Sequence, residues 1–97
     1  MDGQSSEVVD VPEEDHYAIR VNGEQVGLAA YTLSASTITF THTETDPEMQ
    51  GQGIAGDLVH HALDDVRRRG LDVVAQCSFV REWIDEHEEY ADLVASP

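Results

Sequence analysis

A chain of 97 residues has room for one domain and one modest core. Its formal net charge of −15, twenty acidic residues against five basic ones, disfavours binding nucleic acid by phosphate neutralisation. No apolar run approaches the roughly 20 residues that span a bilayer, and no basic stretch leads into an apolar one as in a signal peptide, so a cytoplasmic chain without membrane contact is expected.

The first fifteen residues set Val8, Val9 and Val11 among Asp2, Glu7, Asp10, Glu13, Glu14 and Asp15. That composition predicts a flexible acidic tail over residues 1–15, leaving residues 16–97 as a single domain. Residues 16–21 alternate as a first strand, and Asn22-Gly23 is a hairpin signal. A second strand follows over residues 25–33, rich in small side chains and closed by Ser34-Ala35-Ser36. In a third strand, Thr37–Thr45, strict alternation sets Thr37, Thr39, Thr41, Thr43 and Thr45 on one face. Ile38, Phe40, His42 and Glu44 then fall on the other.

The short connections make these three strands an antiparallel meander. Asp46-Pro47 ends it, and a glycine-containing turn follows. Ile54, Leu58, Val59, Ala62, Leu63 and Val66 recur at helical spacing, and Gly70 stops that helix. Residues 71–76 form a short fourth strand with Cys77 at its exit. A second helix starts near Ser78 and is expected to bury Phe79, Val80, Trp83 and Ile84 on one stripe, with His87 at its end. Tyr90, Leu93 and Val94 are left to pack the chain's end against the sheet. The order is three strands, helix, strand, helix, an α+β class.

The turn Gln50-Gly51-Gln52-Gly53-Ile54-Ala55 opens the first helix. A helix start offers backbone N–H donors without internal partners, and the helix dipole adds partial positive charge there. Gly51 and Gly53 allow close backbone approach, so a diphosphate is the natural guest. Gly51, Gly53 and Gly56 stand in a G-x-G-x-x-G register, yet the turn leaves an antiparallel meander and no acidic ribose-binding residue follows a second parallel strand. With no lysine, a Walker A loop is excluded. Taken alone, the turn is equally an ordinary strand-to-helix connection.

This turn resembles the Q/R-x-x-G-x-G/A turn of the GCN5-related N-acetyltransferases, in which backbone amides hold the pyrophosphate of acetyl-CoA. His42-Thr43-Glu44, Cys77-Ser78-Phe79-Val80 and His87-Glu88-Glu89-Tyr90-Ala91-Asp92-Leu93-Val94 resemble the short, YjdJ-type branch of that superfamily. The likeness spans residues 16–94 with its motifs in order. It implies a compact fold of that superfamily and an N-acetyltransferase using acetyl-CoA on an unidentified small-molecule or protein amine. By the same resemblance, Gln50, Gly51, Gln52, Gly53, Ile54 and Ala55 bind the cosubstrate, and Cys77 contacts or accepts the acetyl group.

Between a strand end and a helix start, a thiol's thiolate fraction can be raised by the helix-terminal field; a small, buried, unreactive Cys77 is the alternative. The lone cysteine also excludes an internal disulfide and a multi-thiolate zinc site. Transfer can pass through a Cys77 thioester or go directly to the amine. His42 or Glu44 can take the amine's proton, unless His42 is a hydrogen-bonded sheet residue and Glu44 a solvated strand end. His60-His61 point about 100° apart on a helix and lack the i, i+4 spacing of a metal pair. Asp64-Asp65 and Glu86-Glu88-Glu89 read as solvated faces, so no metal is expected. Arg67-Arg68-Arg69 supports a helix C-terminus, with one member available for a nucleotide phosphate. The spread acidity and absence of lysine resemble proteins of salt-accumulating halophiles; an acidic chain from an ordinary organism, or a partner for a basic surface, is the alternative. A non-catalytic acyl-CoA-binding or sensing module is the rival functional reading.

Overall fold

In the computed structural model, which describes residues 6–49 and 53–94, five strands lie side by side in chain order. They are β1 (Ser6–Val11), β2 (His16–Val21), β3 (Glu24–Ser34), β4 (Thr37–Thr45) and β5 (Asp72–Ala75). The first four pair antiparallel. β5 runs parallel to β4, reached through the helix α1 (Ile54–Arg69). The helix α2 (Ser78–Glu86) follows, then a 3-10 segment, Glu88–Leu93. Val94 returns to make a parallel bridge with Val73 at the outer edge of β5.

Asn22 and Gly23 both take positive φ, 52° and 87°, the conformation that a two-residue hairpin needs. Gly70, at φ 72°, caps α1 with its N–H on the Arg67 and Val66 carbonyls. Tyr17 and Ile19 of β2, Ala29 and Tyr31 of β3, and Ile38 and Phe40 of β4 build one side of the core. Leu58, Val59, Leu63 and Val66 of α1 and Val80 and Ile84 of α2 complete it. Tyr17, Tyr31 and Phe40 meet ring to ring at 5.6, 6.2 and 6.3 Å.

Three expectations are corrected. The presumed tail over residues 1–15 contains β1, paired with β2 from Ser6↔Val21 to Val11↔His16. Val8 packs against the core, and the Asp10 carboxylate accepts from the Tyr31 hydroxyl at 2.6 Å and from Arg69 at 3.1 Å. The acidic composition concealed a strand whose carboxylate is a structural acceptor. Residues 1–5 lie outside the described range.

The second correction concerns β4. Tyr31 pairs with Phe40 but Ala30 pairs with His42, so Thr41 is an extra residue, a β-bulge. One added residue reverses the alternation beyond it. Ile38 and Phe40 face the core, and past the bulge Thr43 and Thr45 take that side. His42 and Glu44 turn to the opposite, exposed face. Third, the stripe of α2 is narrower than its apolar pattern: Val80 and Ile84 are buried, Trp83 and His87 half-buried, and Phe79 exposed.

Candidate active site

β4 and β5 pair only from Thr37↔Asp72 to Phe40↔Ala75. At that point the N–H groups of Gln76 and Cys77 both donate to the Phe40 carbonyl, at 3.1 and 2.9 Å, and the chain turns into α2. From Thr41 onward β4 has a strand partner only on its β3 side. The strands part there, and a cleft of ≈ 350 Å³ opens, lined by Thr43, Thr45, Met49, Gly53, Ile54, Ala55 and Phe79.

Gly53 caps the N-terminus of α1 at φ 75°, a conformation open to glycine and costly for other residues. The first helical bond is Asp57 N–H to Gly53 O at 3.0 Å, which leaves the N–H groups of Ile54, Ala55 and Gly56 without helical acceptors. Three of the turn residues named from sequence, Gly53, Ile54 and Ala55, therefore line the cleft at a positive helix end. Gln50, Gly51 and Gln52 lie outside the described residues.

Cys77 caps α2 and is 8% exposed. Its Sγ lies 3.3 Å from Thr43 Oγ1. His42 was expected on the face of Ile38 and Phe40, the side of β4 that meets Cys77. The strands are adjacent, but the bulge substitutes Thr43 for His42. No signal in the sequence marks the bulge; only the motif His42-Thr43-Glu44 drew attention to the segment. His42 Nε2 instead meets Glu44 Oε2 at 2.9 Å, both side chains exposed on the far face.

The arginine cluster sits at the opposite end of α1, about 20 Å from Gly53 at 1.5 Å per residue. Each member is engaged. Arg67 holds Asp92 at 2.9 and 3.0 Å and the Glu89 carbonyl at 2.8 Å, and lies over the Tyr90 ring. The hydrogen bond from Arg67 holds the Asp92 carboxyl below its ordinary value. Arg68 pairs with Asp65. Arg69 reaches Asp10, Tyr17 and Asp65, so none of the three is aimed at the cleft. Burial, then Asp10, raises Tyr17; burial and the hydrogen bond to Asp10 raise Tyr31 further.

His60 and His61 stack at 5.0 Å, and His60 also stacks near Trp83, which lies against His87 at 3.8 Å. These rings tie α1 to α2. Among the described residues, no group of three or more His, Cys, Asp or Glu could hold a metal ion. Nor is any described helix long and apolar enough to cross a membrane.

A family model described as GCN5-related N-acetyl-transferase matches residues 16–93. Among solved structures, a GCN5-like protein from Staphylococcus aureus is similar with a TM-score of 0.70 and 22% identity, over 94% of this chain and 89% of that one. The ribosomal-protein-S18-alanine N-acetyltransferase from Escherichia coli gives 0.59 and 15%, over 72% of this chain and 64% of its own. The ribosomal-protein-alanine N-acetyltransferase from Brucella melitensis biovar Abortus 2308 gives 0.57 and 21%, over 84% and 62%. At these identities the structural likenesses bear on the fold. No curated protein sequence matches the chain.

Proposed function

We propose that this chain, which belongs to the GCN5-related N-acetyl-transferase family, is an N-acetyltransferase that takes the acetyl group from acetyl-CoA bound in the cleft between β4 and the helix starts. The observation that carries this reading is the shared cleft: Gly53, Ile54 and Ala55 line it together with Thr43, and Thr43 touches Cys77. The N–H groups at the start of α1, which have no helical acceptors, suit a diphosphate, as backbone donors must in a chain without lysine. Gln50, Gly51 and Gln52 complete the turn by family pattern. The chain spans most of the Staphylococcus aureus protein but under two thirds of the length of the two ribosomal-protein acetyltransferases.

In the chemistry, the acceptor nitrogen attacks the thioester carbon, the carbon–sulfur bond breaks, and the CoA thiolate leaves. Cys77 can take the acetyl group first, forming a protein thioester that the amine then cleaves. Thr43, which lines the cleft, would hold the Cys77 sulfur beside it. The His42–Glu44 pair stands on the opposite face of the sheet from Thr43 and Cys77, so the proton that the amine gives up would pass to the departing thiolate or to solvent. The acceptor is an amine, small or carried on a protein. The spread acidity supports a salt-rich setting in which screening relieves self-repulsion, and loss of helical signal as salt is removed would agree with it.

The test is direct. Coenzyme A should raise the melting temperature in molar salt, and a screen of amines with acetyl-CoA should release free thiol. No thermal shift with any CoA thioester would defeat the proposal, whereas binding without turnover on any amine would favour the acyl-CoA-sensing alternative. Intact mass after mixing with acetyl-CoA separates the two routes: an acetyl adduct absent from Cys77→Ala marks the thioester path.

A further inference from the structure

Gly56, His60 and Asp64 stand four residues apart on α1 and so form one ridge along the helix. Each meets the part of the chain that follows Cys77. A Cβ on Gly56 would lie 3.7 Å from Trp83 Nε1, so the indole edge rests against the first turn of α1. His60 stacks near the same indole at 5.9 Å and meets the Tyr90 ring edge-on at 6.0 Å. Asp64 accepts the Tyr90 hydroxyl. His87 lies parallel to the indole at 3.8 Å and donates from Nδ1 to the Trp83 carbonyl at 2.7 Å. Trp83 itself is about 9 Å along α2 from Cys77 and lines no part of the cleft, so it does not reach the reacting sulfur. What it touches is Gly56, whose N–H is one of those at the start of α1 without a helical acceptor.

We propose that Trp83 is a positioning residue for acetyl transfer: lodged on the first turn of α1, it fixes how far the diphosphate-binding N–H groups stand from Cys77 at the start of α2. This rests on the acetyl-CoA reading given above, with Cys77 as the first acceptor. In that step the Cys77 sulfur bonds the acetyl carbon and the carbon–sulfur bond of the CoA thioester breaks. The thiol proton of Cys77 passes to the departing CoA thiolate. Holding the diphosphate needs the start of α1 alone, whereas transfer needs α1 and α2 in register. Loss of the indole therefore spares binding and slows transfer.

Two measurements on the whole chain in high salt separate these effects. Calorimetry gives the affinity for coenzyme A, and intact mass after mixing with acetyl-CoA gives the single-turnover rate of Cys77 acetylation. Trp83→Leu should keep the affinity and slow acetylation about ten- to a hundredfold, the scale set by a misplacement of about 1 Å. Trp83→Phe, which leaves a ring for His60 and His87 to stack on, should recover most of the rate. His60→Ala removes an exposed ring from the α1 side of the stack, so the fold should survive it. It should slow acetylation by less, again with the affinity kept, and it serves where Trp83→Leu does not fold. Wild-type rates in these variants would overturn the proposal. Affinity and rate falling in equal proportion would overturn it too, as would a wild type that binds coenzyme A without ever acetylating Cys77. Wild type that binds no coenzyme A would instead remove the acetyl-CoA reading itself.

Discussion

Asp10→Ala probes whether β1 is fastened by side chains or only by backbone. Asp10 accepts the Tyr31 hydroxyl at 2.6 Å and Arg69 at 3.1 Å, linking β1 to β3 and to the end of α1. Tyr31 is 4% exposed, so removing the carboxylate leaves its phenol without that partner, a loss of about 1–2 kcal/mol. Arg69 retains Tyr17 and Asp65 and adds about 0–1 kcal/mol, because the pair is partly exposed and screened by salt. The expected total is about 2 kcal/mol, a large share of the roughly 5–15 kcal/mol that stabilises a domain. Urea unfolding followed by circular dichroism reads it as a lower midpoint at unchanged slope. Tyr31→Phe and the double variant complete a cycle whose coupling should be about 1 kcal/mol. A change below about 0.5 kcal/mol for Asp10→Ala, the range of ordinary surface substitutions, would refute the reasoning and leave β1 held by its ladder alone.

A Cβ on Gly27 would stand 3.0 Å from the Glu44 carbonyl and 3.0 Å from Ile19 Cγ2, so Gly27→Ala should cost about 1–3 kcal/mol by forcing β3 from β4, seen in the same urea assay. Gly53→Ala meets no atom of the described residues within 4 Å, but its φ of 75° should cost about 1–2 kcal/mol; both the melting temperature and coenzyme A affinity should fall. Burial, then the hydrogen bond to Asp64, pushes Tyr90 from 10.0 up to about 12. The folded state thus keeps this proton more firmly than the unfolded chain. Its contribution is full below pH 10.0 and is lost as pH rises through about 12, so the urea midpoint should fall in that window as tyrosinate absorbance grows. A midpoint that is level across it would contradict the burial of Tyr90.

The meander, the Asn22-Gly23 hairpin and α1 were legible because alternation and helical spacing there are dictated by burial. β1 was not, since Glu7 and Asp10 read as solvated charge when Asp10 is a hydrogen-bond acceptor for a core tyrosine. The bulge at Thr41 was not legible because the strict alternation of threonine with other residues runs unbroken through it, although the shift exchanges His42 and Glu44 for Thr43 and Thr45 on the core side. That hid Thr43 as the contact of Cys77 and placed His42 on the wrong side. The glycine turn was legible as a helix start, and its described half does line the cleft. Phe79 was misassigned because positions 79, 80, 83 and 84 form one continuous apolar stripe on paper.

The parting of β4 from β5 divides a single strand into two environments. Residues 37–40 have strands on both sides, whereas residues 41–45 have β3 alone. Amide hydrogen exchange in the two halves should therefore differ: the first half opens with the sheet's global unfolding, and the second through a smaller, local opening. A molecule lying in the cleft would occupy the side that β5 vacates. It would slow the second half by covering its local opening and the first half by raising the cost of global unfolding, so the one strand reports cover and stability separately.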